Sequence, residues 1–356
     1  MNITVFGLNH KTAPIEMREK FYLNPTQQDL LLSELRSNPA VVEAFVLSTC
    51  NRVEIYFSAI NDDLEISSII SLVFKVKRIP PASECERYFY KFCGKDAVRH
   101  LFEVSTGIDS LIIGEDQILG QVKIAFQRAQ GSRMFQRHFN ILANMALNIG
   151  KKARRETNIA VGGSSISWAA VAKAEEVLGN LSGKSILVIG AGEMSELAVG
   201  HIQDRKFHKL YIMNRTQDNA RALVHHYGGT AVPFCDLKEI LQEVDICLCS
   251  AGAPHYLVEK DVVQRIMGQR NGRVLIFIDI SMPRNIDPRV SGLDNVLLYQ
   301  IDDLNAVVDA SMAHRAQAIL KVKSIIESKI EIFLEKIRKS DKNEITRMSG
   351  PSTISD

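Results

Sequence analysis

The chain has 356 residues, 46% hydrophobic and 24% charged, with a formal net charge of +2. That length predicts two or three domains with sizeable cores, and no stretch approaches the roughly 18 consecutive apolar residues of a membrane span. Six cysteines without framework spacing argue against a disulfide scaffold and predict a reduced, cytoplasmic protein.

The chain starts straight into an apolar strand pattern, so no secretory leader is expected. Residues 1–60 read as strand Ile3–Leu8, a loop, helix Pro25–Asn38, and strands Val42–Ser48 and Val53–Ala59. Between the last two strands the pattern turns polar at Ser48-Thr49-Cys50-Asn51-Arg52. A cysteine at such a break is either buried filler or a nucleophile. Thr49 and Asn51 supply short-range hydrogen-bonding groups. Arg52 supplies a cation that favours thiolate over thiol, and its planar fork suits a carboxylate. The pattern points to covalent chemistry at Cys50 on an acidic acyl substrate. Leu64–Val76 reads as an amphipathic helix and Pro80-Pro81 as a linker. Helices follow at Lys95–Thr106, Glu115–Gln130 and Met134–Glu156, which together describe an α+β domain.

His100 lies on a mostly apolar helix face, as a satisfied core residue or as a partner of the cysteine. Glu115 opens its helix favourably for the macrodipole, and Gln117 and Gln121, four apart, share a face. From Gln117 to Arg155 there are eight lysines and arginines and no acid. This is a solvated basic face or a nucleic-acid contact. Cys85 and Cys93 are too far apart for a ribbon-type zinc pair, Cys247 and Cys249 read as packing on one strand, and no metal site is supported.

Helix Ser165–Leu178 leads into an apolar strand and Gly190-Ala191-Gly192-Glu193-Met194-Ser195, which opens a helix through Leu197–Ile202. The order strand, glycine turn, helix is that of a dinucleotide site, with pyrophosphate on the helix N-terminus. Ser195 stands where a third glycine is usual and predicts slightly looser packing. Strand Lys209–Met213 ends in Asn214-Arg215-Thr216 without an acid. Arg215 is then a surface residue or the partner of a 2′-phosphate, which favours NADPH over NADH. Strands Asp245–Ser250, Val274–Asp279 and Val296–Tyr299 complete a doubly wound parallel sheet. The turns 250–254 and 279–284 lie where the nicotinamide half is expected. One helix is predicted from Asp303 to about Lys339, with apolar Leu304, Val308, Met312, Ile319, Ile326, Ile330, Phe333 and Ile337. A polar, disordered tail is predicted for 340–356. The fold class is α/β with α+β: a catalytic domain at 1–157, a Rossmann-type domain at 158–302, the helix at 303–339, and the tail.

Gly7-Leu8-Asn9-His10-Lys11-Thr12-Ala13-Pro14, Ser48–Arg52 and Gly114-Glu115-Asp116-Gln117-Ile118-Leu119-Gly120-Gln121-Val122-Lys123 resemble signature stretches of the glutamyl-tRNA reductases, over about residues 1–334. The resemblance implies NADPH-dependent reduction of glutamyl-tRNA(Glu) to glutamate-1-semialdehyde through a Cys50 thioester, the first step towards 5-aminolevulinate, tetrapyrroles and heme. It places the family's essential histidine at His100 and substrate contacts at Ser110, Glu115, Gln117 and Gln121, joined in this reading by Thr49, Asn51, Arg52 and Asp116. Asp116 occupies a position where the family commonly has proline; the turn is expected to survive while the added charge weakens substrate affinity. Cofactor contacts fall on Gly190, Ala191, Gly192, Glu193, Met194, Ser195, Asn214, Arg215 and Thr216. The family also implies contact with glutamate-1-semialdehyde aminomutase and a homodimer through a C-terminal helical domain, of which this sequence holds the connecting helix and a short tail. Two alternatives stay open: an NADP-dependent dehydrogenase of a free small acid, and a silent relative that binds tRNA or a protein.

Overall fold

The computed structural model describes residues 3–60, 66–80, 83–160, 165–304 and 312–348. Its first unit is built on β1 (Ile3–Asn9), β2 (Val41–Ser48), β3 (Arg52–Ala59) and β4 (Tyr90–Cys93). Among the described residues these form an antiparallel sheet in the order β2-β3-β1-β4. β1 is buried at every position, which is why it reads as an apolar run without alternation. A helix, α1 (Ile15–Phe21), occupies part of the expected loop. α2 (Pro25–Ser37) starts as its sequence dictates, with Asn24 and Gln27 capping each other's backbone amides and Pro25 in the first turn.

α3 (Ile66–Lys77) follows, the two residues before it lying outside the described ones. α4 (Lys95–Thr106) is closed by Gly107 in the left-handed conformation. α5 (Gln117–Gly131) and α6 (Arg137–Thr157) start two and three residues later than expected.

The second unit holds β5 (Ser185–Ile189), β6 (Lys209–Met213), β7 (Thr230–Val232), β8 (Ile246–Cys249), β9 (Leu275–Asp279) and β10 (Val296–Gln300). They form a parallel sheet in the order β10-β9-β8-β5-β6-β7. The order reverses between β5 and β8, the place where doubly wound sheets bind ligands. α7 (Ile166–Leu178), capped by the Ser165 hydroxyl, and α8 (Glu193–Gln203) pack together beside it. Separate apolar clusters cover the two faces of the sheet. Cys247 and Cys249 are fully buried within it. The expected fold class holds.

The long helix differs from expectation at both ends. Leu304 belongs to a 3-10 turn (Ile301–Leu304) buried in the second unit's core, and Val308 lies outside the described residues. The helix runs Met312–Met348 and sends Val322, Ile326, Ile330, Phe333 and Ile337 into the first unit's core, at spacings of three and four. Residues 340–348 are therefore helical where a disordered tail was expected; 349–356 lie outside the described residues.

Candidate active site

Cys50 stands in the tight turn between β2 and β3. The Thr49 amide donates to the Arg52 carbonyl (2.8 Å), and the Thr49 hydroxyl accepts from the Asn51 and Arg52 amides (3.2 Å each). The Asn51 carbonyl accepts from the His10 amide (2.9 Å). Arg18 Nη1 donates to the Cys50 carbonyl (3.0 Å) and to Asn51 Oδ1 (3.1 Å). Thr49 and Asn51 are thus buried turn-formers. The Cys50 side chain is half-buried and packs against the apolar cluster that joins Leu111 and Ile112 to the core of the second unit. Burial, then the Glu115 carboxylate, push its thiol up to about 12, against the weaker opposite pull of Arg18 and Arg52.

Arg52 pulls towards thiolate as expected, but burial and Glu115 outweigh it in this arrangement. Arg52 is buried, its Nη1 on Glu54 Oε1 (2.6 Å) and Asp109 Oδ2 (3.0 Å) and its Nη2 on the Asp109 carbonyl (2.5 Å). Its charge is neutralised, and the fork expected for a substrate carboxylate is already engaged.

Arg52, Glu54 and Tyr56 share one face of β3, as the two-residue period requires. Glu54 is their hub. Its Oε1 also meets His100 Nε2 (2.9 Å) and the Tyr90 hydroxyl (2.5 Å), and its Oε2 accepts from Tyr56 (2.7 Å). Burial opposes its charge, but Arg52 and then His100 hold the carboxyl far below the ordinary range. His100 is buried and hydrogen-bonded, as the satisfied-core reading has it, and it is joined to the cysteine turn through Glu54 and Arg52.

The loop after α4 completes the site. Gly114 has φ of +81°, and a Cβ there would lie 2.0 Å from the Ile159 carbonyl oxygen, so only glycine fits. The loop brings Asp109 to Lys11 Nζ (2.5 Å) and Arg52, and buries Ser110 with its hydroxyl beside the Glu115 carboxyl. Glu115, before α5 and not inside it, is raised to about 7 by burial against the pull of Arg52. Arg18 Nε and His10 Nδ1 are buried and unpartnered. Burial, then Arg52, push His10 down to about 3 and keep it neutral.

His10, Arg18, Glu54 and Asp109 were not singled out from the sequence; only Glu54 had a signal, the alternation with Arg52. Asp116 Oδ1 instead pairs with Arg154 Nε (3.0 Å), whose Nη2 also donates to the Glu115 carbonyl (2.7 Å). Gln117 and Gln121 line a separate cleft of about 470 Å³ with Ser165, Glu193 and Leu197. No group of three His, Cys, Asp or Glu side chains among the described residues could hold a metal ion, and no helix among them is long and apolar enough to cross a membrane.

At the strand-order reversal, Gly190, Ala191, Gly192, Asn214 and Arg215 line a cleft of about 550 Å³ with residues 250–255. Gly190 has φ of +120°, and a Cβ would meet Ser195 Oγ at 2.7 Å and the Ser250 carbonyl at 3.0 Å. Ser195, fully buried, shares a hydrogen bond with Ser250 (2.5 Å). It stitches the two turns together where looser packing was expected. Met194 and Thr216 support the turn from behind: the Met194 carbonyl accepts from Ser167 (2.8 Å) and the Thr216 carbonyl from Asn214 Nδ2 (2.9 Å). Glu193 faces the Gln117 cleft. The glycine cradle, the start of α8 and exposed Arg215 at the rim suit a dinucleotide.

The acid-free basic span divides. Arg128 pairs with Asp29 (2.7 Å) and Arg154 braces the Glu115 turn. Lys151, Lys152 and Arg155 line a groove of about 370 Å³ with Lys329 and Lys336 of the long helix, over Met145, Ile149 and Ile332.

Two family models match the chain: the N-terminal domain of glutamyl-tRNAGlu reductase over residues 6–157, and shikimate/quinate 5-dehydrogenase over 172–307. A glutamyl-tRNA reductase of Thermodesulfovibrio yellowstonii is 41% identical over 341 residues, 94% of this chain and 80% of that protein. One of Pelotomaculum thermopropionicum is 39% identical over 335 residues, covering 94% and 75%. The solved glutamyl-tRNA reductase of Methanopyrus kandleri matches with a TM-score of 0.55 at 31% identity, covering 97% of this chain and 82% of that one.

Proposed function

The chain belongs to the glutamyl-tRNA reductase family, and from that premise we propose that it reduces glutamyl-tRNA(Glu) to glutamate-1-semialdehyde with NADPH, through a Cys50 thioester, at the start of the route to 5-aminolevulinate. The observation that carries this reading is the place of Cys50, on a braced turn of the first unit and packed against the core of the nucleotide-binding unit.

A buried thiol near 12 needs a proton acceptor when the ester arrives. Glu115, close to 7 and acting directly on Cys50, takes that role. Its carboxylate accepts the thiol proton, and sulfur bonds to the acyl carbon. The bond to the terminal ribose oxygen breaks, and that oxygen recovers the proton as tRNA departs. Ser110 Oγ, beside Glu115, and Arg18 Nε, lacking a partner, serve the amino acid, while Arg52 lends its potential from behind. When bound in the cleft at Gly190–Gly192, a reduced nicotinamide supplies hydride. The thioester carbon becomes an aldehyde as the C–S bond breaks and Cys50 leaves as thiolate. Arg215 at the rim supports a preference for the 2′-phosphate.

Cys50→Ser is expected to abolish reduction and acid-stable labelling by radiolabelled glutamyl-tRNA. Label that persists would move the nucleophile elsewhere, and NADPH oxidation with free glutamate, or NADP+ reduction with shikimate, without tRNA would favour a small-acid dehydrogenase.

A further inference from the structure

Arg18 and Glu19 are neighbours in α1, and each ties this helix to a different part of the molecule. Arg18 holds the Cys50 carbonyl and Asn51 through Nη1, and Asp302, at the end of the nucleotide-binding unit, through Nη2. Glu19 Oε1 accepts from the Arg284 amide (2.5 Å) and Nε (3.0 Å), and its Oε2 from Nη2 (2.8 Å). Arg284 Nη1 reaches Glu16 (3.0 Å), and the Arg284 side chain is 8% exposed.

The loop bearing Arg284 is itself pinned. Asp279 accepts from the amides of Ser281 (3.0 Å), Asn285 (2.8 Å) and Ile286 (2.8 Å). Asn285 Nδ2 donates to the carbonyls of Ala253 (2.8 Å) and His255 (3.0 Å), in the wall of the nucleotide cleft. A chain of covalent and hydrogen bonds thus runs from the Cys50 carbonyl through Arg18–Glu19 and Arg284–Asn285 to that wall.

We propose that α1 and the Glu16–Glu19–Arg284 cluster form a bracket that sets the distance between the Cys50 sulfur and the nucleotide cleft, and that Arg284 is a positioning residue for hydride transfer. This rests on the Cys50 reading above. A forked arginine–carboxylate pair fixes orientation as well as position, and this one is largely withdrawn from water, unlike the surface pairs that contribute little. Acyl transfer to Cys50 needs residues of the first unit alone. Hydride transfer needs both units in register.

The test compares Arg284→Gln and Glu19→Gln with the exchanged pair Glu19→Arg/Arg284→Glu in the full chain. The readouts are acid-stable labelling of Cys50 without NADPH, NADPH affinity by cofactor fluorescence, and aldehyde formed in a single turnover. Labelling and affinity are expected to stay within about twofold, while aldehyde formation falls about tenfold or more, towards the ~10²-fold that a misplacement of about 1 Å costs. The exchanged pair is expected to regain at least about fivefold. Unchanged aldehyde formation in the single variants, or an equal loss of labelling, overturns the bracket. Should Arg284→Gln fail to fold, Glu16→Gln, at a side chain 62% exposed, is expected to slow the hydride step about two- to threefold with labelling intact; no change there overturns it equally. Absence of label in the unaltered protein sinks the Cys50 reading on its own, and the bracket is then judged from aldehyde formation.

Discussion

Glu54 has no exposed surface and accepts from Arg52, His100, Tyr90 and Tyr56. Glu54→Ala would leave a buried arginine short of its counter-charge, which costs about 3–5 kcal/mol. Denaturant unfolding is expected to show that loss, with Glu54→Gln in between because it keeps an acceptor. The Glu115 carboxylate raises the Cys50 thiol as a like charge. Glu115→Gln removes the carboxylate that raises the thiol, so alkylation of Cys50 at pH 9 should quicken. Thioester formation should slow, because the proton acceptor is gone. The two rates moving together would count against Glu115 as the base. Burial also makes ionisation of Glu115 unfavourable in the folded state. Its contribution to stability is full below the ordinary carboxylate range and is lost as pH rises through about 7; Glu115→Gln should flatten that part of the stability profile.

The elements show which of these residues a reading of the sequence could reach. α4 emerges with its observed bounds because twelve residues let the apolar spacing repeat. α1 has seven residues and Pro14 at its N-cap without a side-chain hydrogen bond, so neither period nor cap marks it. Arg18 and Glu19 carry no local pattern either, and the bracket they form has no signal in the sequence. Arg52, Glu54 and Tyr56 alternate legibly along β3, but Tyr90 and His100 reach Glu54 from 36 and 46 residues away, and no local pattern encodes those contacts. The thiol expected to be lowered by Arg52 is raised for the same reason: the apolar cluster it packs against comes from residues distant in sequence.

At the start of α5, Asp116 has φ of −75°, close to proline's fixed value, and its pair with Arg154 leaves its side chain 72% exposed. Asp116→Pro should therefore change stability by less than about 1 kcal/mol, read from the midpoint of chemical unfolding. Gly114→Ala, whose Cβ would lie 2.0 Å from the Ile159 carbonyl oxygen at a φ of +81°, should cost about 2 kcal/mol or more and disturb both Ser110 and Glu115.

Over the whole molecule, the net charge of +2 conceals a cationic groove assembled from two distant parts of the chain. Lys151, Lys152 and Arg155 come from α6, Lys329 and Lys336 from the long helix, and the core shared by these helices sets the spacing between the two rows. The groove's apolar floor and five cations, of which Lys152 and Arg155 pair with Glu156, suit a phosphate backbone better than a small anion, which would be met by one or two of them. Each phosphate neutralised releases counterions, so log affinity should fall with log salt by about 0.7–0.9 per contact. Replacing Lys329 and Lys336 by glutamine should reduce that slope by about 1.4–1.8 and weaken tRNA binding. Both lysines lie away from Cys50 and the nucleotide cleft, so aldehyde formation from an enzyme already carrying the acyl group should not change. Filter binding across a salt series, paired with that single-turnover measurement, separates the two effects. A slope indifferent to both lysines would place the RNA on another face, and a slope near zero in the unaltered chain would remove electrostatic recognition of tRNA altogether.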